Sequence, residues 1–106
     1  MQRGAVYYNG QLAGHLEKLG PQEYVFEYDE DYFADSKTKA ISLTLPKKQK
    51  IYTSTKLFAF FSGLLSEGIN KRIQCRLLKI DENDDFTRLI KTAGGDTIGA
   101  ITVNEV

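Results

Sequence analysis

The sequence has little of what most catalytic and metal sites require. Its 106 residues include one cysteine, one histidine and no tryptophan. The single thiol, Cys75, cannot close an intrachain disulfide, and this suits a reducing cytoplasm. One histidine and one cysteine are also too few for a zinc tetrad. The domain must therefore be held together by its hydrophobic core.

The sequence also lacks a long apolar run and a net charge. The longest run, residues 57–61, is far short of the roughly 20 residues that span a bilayer. Fourteen basic residues balance fourteen acidic ones, so no long-range field attracts the chain to nucleic acid or to an anionic membrane. No apolar leader follows Met1. We therefore expect one cytoplasmic domain over residues 1–106.

The first part of the chain has the alternating pattern of β-strands. Asn9-Gly10 predicts a hairpin turn, because both residues accept the positive φ angles of a type I′ turn. After the Gly20-Pro21 turn, residues 23–28 predict a third strand. One face of that strand is aromatic and needs cover; it carries Tyr24, Phe26 and Tyr28.

The middle of the chain is more polar. Residues 29–39 predict a loop or a short helical turn. Ile41 to Leu45 alternate and predict a short fourth strand, which Pro46 ends. A basic loop follows, with Lys47, Lys48 and Lys50.

The second half predicts helices. Ser54 or Thr55 is placed to cap a helix over 56–66, and Gly68 suits the left-handed position after its last turn. A second helix is expected over 69–80. Its inward stripe would be Ile69, Ile73, Leu77 and Ile80.

A third helix is expected from Asn83 or Asp84 to Gly94-Gly95, followed by a last strand over 98–103. Strands and helices are thus segregated along the chain. The sequence predicts an α+β fold, in which a small antiparallel sheet (a hairpin or meander plus a C-terminal strand) has about three helices packed on one face.

Two side chains are candidate nucleophiles or bases, His15 and Cys75. Catalysis would need a base beside the nucleophile. His15 is expected to be a solvated residue on a strand. Cys75 falls within the polar arc of helix 69–80, where we expect a partly exposed thiol without a catalytic role.

Two further stretches resemble ligand loops and are rejected. Residues 81–85 have the acidic start of a calcium loop, but Phe86 and Thr92 stand where Gly and Glu are required. They are better read as an acidic helix N-terminus. Residues 94–99 are glycine-rich, but they follow a helix and precede a strand, the reverse of a phosphate cradle. We expect a helix stop and a turn there.

Four basic residues share one arc of the second helix: Lys71, Arg72, Arg76 and Lys79. Such an arc could contact phosphates. No aromatic residue is interleaved with it, and acidic residues 81–85 follow at once. A solvated face is the preferred interpretation.

Six stretches of the sequence together resemble the N-terminal subdomain of HipA-type toxin kinases. They occur in the family's order and extend over nearly the whole chain. They are VYYNGQLAG (6–14), FEYD (26–29) with Tyr32, ISLTLP (41–46), FFSGLLSEG (60–68), DDF (84–86) and AGGDTIGA (93–100). The chain departs from the family at Ser66, where Pro is usual, and at Tyr32, where Trp is frequent.

The resemblance implies a binding role. In the family a kinase core follows this subdomain, and none of its catalytic, ATP-binding or metal-binding residues has a counterpart here. A stand-alone subdomain is similar to HipS, the small protein of three-gene HipBST toxin–antitoxin systems. That similarity implies a non-enzymatic antitoxin without a cofactor, which binds and neutralises in trans a HipT-like Ser/Thr kinase. A HipB-like helix-turn-helix protein would supply DNA contact, so none is expected here.

Other interpretations remain open. The chain could be an activating or scaffolding subunit that completes a split kinase, or an excised subdomain of a longer kinase. A small enzyme that uses His15 or Cys75, and direct DNA contact by the basic arc of residues 71–79, are the remaining hypotheses.

The stretch FFSGLLSEG and the residues just before it are the expected docking region. Its apolar stripe (Leu57, Phe60, Phe61, Leu64 and Leu65) is predicted to be core. Phe58 and the turn Ser66-Glu67-Gly68 are expected to face the kinase. The full candidate set for partner binding is Phe58, Phe61, Leu65, Ser66, Glu67 and Gly68.

Overall fold

The chain begins with a β-hairpin. The structure, a computed structural model, describes residues 2–65, 68–92 and 100–106. Strands β1 (Gln2–Tyr8) and β2 (Gln11–Gly20) pair antiparallel. Asn9 and Gly10 join them with φ angles of 49° and 84°, the two positive values that a type I′ turn requires. The predicted hairpin is confirmed.

Three more strands extend the hairpin into an antiparallel sheet. β3 (Glu23–Tyr28) pairs with β2, β4 (Ile51–Ser54) pairs with β3, and β5 (Ile101–Glu105) pairs with β1. The order across the sheet is β4-β3-β2-β1-β5. The meander with an added C-terminal strand is therefore confirmed; residues 98 and 99 of the predicted last strand lie outside the described residues.

The predicted strand over 41–45 is wrong, and the fourth strand comes later, at β4. In a strand Ile41, Leu43 and Leu45 would face one side. Here Ile41 and Leu45 are buried, whereas Leu43 is 99% exposed. The hydroxyl of Tyr28 accepts from the Ile41 N–H at 3.1 Å and donates to the Leu45 carbonyl. This side chain thus bonds two backbone groups of the stretch, while the Thr44 and Leu45 N–H groups donate to Ser42 in turns.

Four helices are present in the described part of the chain. They are α1 (Glu30–Ala34), α2 (Ala59–Ser62), α3 (Gly68–Leu78) and α4 (Asp85–Thr92). Asp29 caps α1 by accepting from the Tyr32 N–H at 3.3 Å, and Asp84 accepts from the Thr87 N–H at 3.1 Å at the start of α4. The start predicted at Asn83 or Asp84 is thus confirmed.

Helix α2 is much shorter than the helix predicted over 56–66. Its N-cap residue is Phe58, without a side-chain cap, and its C-cap is Gly63. The predicted cap at Ser54 or Thr55 is therefore wrong. Ser54 Oγ instead accepts from the Lys56 N–H at 3.2 Å, within the connection that follows β4. Gly68 does not end this helix, because it is the first residue of α3. The stop predicted at Gly94-Gly95 lies outside the described residues.

The core lies between one face of the sheet and the helices. Val6, Leu16, Phe26 and Val103 are fully buried on that face. The Phe26 ring lies 5.7 Å from the ring of Phe61 in α2, measured between centroids. Helix α4 contributes Phe86, Leu89 and Ile90. The α+β fold is confirmed.

Helix α3 is oriented differently from the prediction. Its expected inward residues Ile73 and Leu77 are 49% and 75% exposed, whereas Cys75, expected in a partly exposed arc, is buried. Ile69 lies outside the described side chains. Lys79 adopts a left-handed φ of 56°, and the Ile80 N–H donates to the Cys75 carbonyl at 2.9 Å. This cap ends the helix before Ile80, so the predicted stripe loses its last member.

Candidate docking surface

The six residues predicted to bind a partner fall into three groups. Phe61 and Leu65 are buried in the core. Phe58 is half-buried, and Gly68 begins α3. Ser66 and Glu67 lie outside the described residues. The structure therefore places Phe61 and Leu65 in the core and leaves part of Phe58 in contact with solvent.

Backbone hydrogen bonds hold Phe58 at the start of α2. Its carbonyl accepts from the N–H groups of Phe61 and Ser62 at 3.0 and 3.1 Å. The Ser62 hydroxyl donates to the same carbonyl at 3.3 Å. The Phe58 ring packs against the edge of Phe61, with 6.3 Å between ring centroids. Phe58 is thus a half-exposed aromatic side chain on a hydrogen-bonded backbone, and aromatic side chains are enriched at protein interfaces.

The predicted core stripe is present. Phe61 and Leu65 are buried, and Leu57, Phe60 and Leu64 are partly buried against the same core. The Phe60 and Phe61 rings lie 5.2 Å apart between centroids in a T-shaped arrangement, which aromatic pairs prefer. The short helix α2 therefore rests on a continuous aromatic layer that reaches Phe26 of the sheet.

An open groove of about 670 Å³ lies between this segment and the start of α4. Lys18 and Lys56 line it together with Asp81, Asp84 and Asp85. All three carboxylates have local partners: Asp81 accepts from the Asn83 N–H at 2.8 Å, Asp84 accepts from Thr87, and Asp85 pairs with the buried Arg88 at 3.2 Å. They serve as the acidic helix N-terminus that the sequence predicted. No group of three or more metal-ligating side chains occurs within the described stretches.

The two candidate catalytic side chains occupy separate places. His15 lies on β2 in a small pocket with Arg3, Glu17 and Glu27. Burial, and then the charge of Arg3, lower the pKa of His15 below its usual 6.5. Cys75 is buried in α3 and lines a different pocket. The expected partly exposed thiol is wrong, and the structure does not bring this thiol together with His15.

The basic arc predicted on the second helix is on the surface. Arg72, Arg76 and Lys79 are exposed, and Lys71 is half-buried. Ile73 and Leu77 are exposed beside this arc, which the sequence pattern did not predict. One signal could have revealed it. Cysteine is among the residues most often buried, so Cys75 in the supposed polar arc indicated which side of the helix faces the core.

Comparison with family models identifies the family of this chain. A family model for the HipA N-terminal domain matches residues 4–104. This chain belongs to the HipA N-terminal domain family. A solved structure described as the N-terminal domain of HipA toxin covers 100% of this chain, and the match covers 93% of that one. The TM-score is 0.74 and the sequence identity 27%. The HipA N-terminal fold is thus supported by sequence and by shape.

A curated relative places the domain within a longer protein. It is described as "Putative kinase Y4mE" of Sinorhizobium fredii (strain NBRC 101917 / NGR234), and it is 28% identical over 96 residues. The match covers 91% of this chain and 23% of the relative. The chain therefore spans about a quarter of that relative's length. Among the described residues, no helix has the length and apolar character needed to cross a membrane.

Proposed function

We propose that this HipA N-terminal domain is a non-enzymatic antitoxin in the cytoplasm. It binds in trans a HipT-like serine/threonine kinase that lacks its own N-terminal subdomain, and it neutralises that kinase. The observation that carries the proposal is the match to the HipA N-terminal domain over residues 4–104. A separate match of 96 residues covers 23% of a relative described as a putative kinase. A HipB-like helix-turn-helix protein completes the complex and contacts DNA.

Neutralisation follows from unequal binding to two kinase conformations. A protein that binds an inactive conformation more tightly than the active one shifts the population toward the inactive state. A hundredfold difference in affinity corresponds to about 2.7 kcal/mol. A few well-packed side chains can supply this difference, because truncation of a single interface hot spot costs about 2 kcal/mol or more.

Phe58 and the Ser66-Glu67-Gly68 turn are the proposed contact with the kinase, and Phe61 and Leu65 support them from the core. The prediction is that Phe58→Asp weakens kinase binding at least about tenfold. Because Phe58 is already half-exposed, the domain should still fold, as circular dichroism would show. Glu67→Arg tests the turn in the same way. If both variants failed to fold, residues 58–68 would have a purely structural role.

The proposal is tested with the two purified proteins. Kinase autophosphorylation is measured with and without this chain, and the mixture is analysed by size-exclusion chromatography. We expect co-elution and a loss of activity as the chain approaches equimolar amounts. Unchanged activity together with separate elution would refute both the partner and the inhibition.

The alternative is an activating or scaffolding subunit of a split kinase. The specific observation in its favour is the curated relative, in which the matching region is part of a chain described as a kinase. The same relationship would hold if this chain were an excised piece of a longer kinase. The autophosphorylation assay separates the two roles by sign, since stimulation by the added chain would replace inhibition.

A further inference from the structure

Helix α3 turns an apolar face away from the domain. Cys75 is 5% exposed and is its one buried side chain among those described. At about 100° per residue, Ile73 and Leu77 each lie about 160° from Cys75, one on either side of the opposite line. They are 49% and 75% exposed. The side chains that the sequence would bury are thus directed to solvent.

This arrangement differs from that of the neighbouring helix. Helix α4 buries Phe86, Leu89 and Ile90, as an amphipathic helix on a sheet does. Helix α3 exposes Ile73, Leu77 and also Leu78, at 46%. Single exposed leucines are common on soluble proteins, but adjacent ones on one element indicate a surface that a partner covers.

The charged side chains of α3 itself are all basic, whereas Asp81 and Glu82, which follow the helix, line one pocket with Arg72 and Arg76. Helix α3 contains no acidic residue. Arg72 and Arg76 are exposed next to Ile73 and Leu77, and neither forms an ion pair with any other residue that the structure describes. A matching surface would be apolar at its centre and acidic at its rim.

We propose that Ile73 and Leu77, with Arg72 and Arg76 along one side of them, form a second docking surface for the kinase, which presents an apolar patch with acidic side chains beside it. The inference rests on the proposed function. Two observations favour the kinase over a second copy of this chain. A second copy would bring the same arginine-rich helix against this one. About three quarters of the kinase-like relative also lies outside the matched stretch, so a large partner surface exists for this fold.

The surface also continues the expected contact region along the chain. Gly68 is both the end of the proposed docking turn and the first residue of α3. From there the helix leads to Ile73 in less than two turns.

The test compares exposed positions on two different elements. Ile73→Glu and Leu77→Glu are each measured against Leu43→Glu, which changes a 99% exposed leucine of the 41–45 loop. Binding of each full-length chain to the purified kinase is measured by titration calorimetry. We expect Kd to rise at least about tenfold for the two α3 variants and to stay within about twofold for Leu43→Glu. Arg76→Glu should slow association, and added salt should reduce that effect.

Each outcome decides between specific alternatives. If both α3 variants bind the kinase as tightly as the unchanged chain does, the proposal of a second docking surface is overturned. Binding by the unchanged chain would still support the proposed function. If the unchanged chain does not bind the kinase, both proposals fail together. If sedimentation shows a dimer that Leu77→Glu dissociates while kinase binding persists, the surface belongs to a second copy and the kinase assignment is overturned. Should Leu77→Glu fail to fold, Leu77→Ala gives the same comparison, because alanine favours helix.

Discussion

At the scale of single residues, the hydroxyl of Tyr28 connects a loop without regular structure to the sheet. It accepts from the Ile41 N–H and donates to the Leu45 carbonyl. Its ring also stacks on Tyr32, with 6.0 Å between ring centroids. Burial raises the pKa of Tyr28 to about 12. The neutral phenol is therefore the form that the folded domain holds.

Replacing Tyr28 by phenylalanine should destabilise the domain by about 1–3 kcal/mol, because it leaves two buried backbone groups without their partner. Urea denaturation followed by circular dichroism measures the loss. Tyr24→Phe is the matched control, since Tyr24 lies on the same strand face and is only half-buried. An equal loss in both variants would show that the loop does not depend on the Tyr28 hydroxyl.

His15 should make stability depend on pH in a defined direction. Its folded pKa lies below the usual 6.5 because of burial and the nearby Arg3, so the unfolded chain takes up a proton first as pH falls. The stabilising effect is complete above pH 6.5 and is lost as pH decreases through the folded pKa.

The matching experiment compares the free energy of unfolding of the wild type and His15→Gln between about pH 7.5 and 5.5. The wild type should lose more stability over this interval than the variant, since glutamine does not titrate. Parallel curves would show that other groups account for the acid sensitivity.

At the scale of elements, the sequence was informative wherever the deciding interactions are local. The hairpin turn depends on the φ angles that Asn9 and Gly10 themselves adopt. The aromatic face of β3 follows from alternation within six residues. These features were predicted because no distant contact can easily reverse them.

Two of the wrong predictions, the strand over 41–45 and the inward stripe of α3, depend on contacts that alternation and periodicity do not contain. Ile41 to Leu45 alternate like a strand, but a tyrosine hydroxyl from β3 bonds two of their backbone groups. The apolar period of α3 marks one face, but burial of Cys75 turns that face outward. For the same reason the candidate site was only partly predictable: Phe58 was predicted to face the kinase and is half-buried, whereas Ile73 and Leu77 were assigned to the core.

Close packing of β2 on β3 depends on Gly14. A Cβ at this position would lie 2.3 Å from the backbone carbonyl oxygen of Glu27, and a backbone atom in a paired strand cannot move aside easily. Gly14→Ala should therefore destabilise the domain by at least about 2 kcal/mol. Thermal unfolding by calorimetry provides the measurement.

Gly20→Ala is the control for this prediction. It lies on the same strand, and the nearest atom to its added Cβ would be 3.8 Å away. That variant should be within about 1 kcal/mol of the wild type. If Gly14→Ala lost no more stability than Gly20→Ala, β2 and β3 would have to separate more easily than their hydrogen-bonded register suggests.

At the scale of the whole molecule, the domain has a well-packed half and a sparsely packed helix. The sheet, α2 and α4 share one core, whereas Cys75 is the one buried residue among the described side chains of α3. Elements with few buried contacts open at lower free-energy cost than the core. A partner that covers α3 would therefore supply contacts that the isolated domain lacks, and binding would be coupled to the order of this helix.

Hydrogen–deuterium exchange measures this coupling directly. In the free chain, amides of α3 should exchange faster than those of α4, because α4 buries three large apolar side chains. Addition of the kinase should slow exchange in α3 by at least about tenfold, while amides of the central strand β2, already protected by two neighbouring strands, change little.

The Leu77→Glu chain is the control: in its mixture with kinase, α3 should keep the exchange rate of the free chain. Equal protection of α3 and α4 before the kinase is added would contradict the division into two halves. Protection confined to α2 after its addition would place the kinase on the Phe58 side alone.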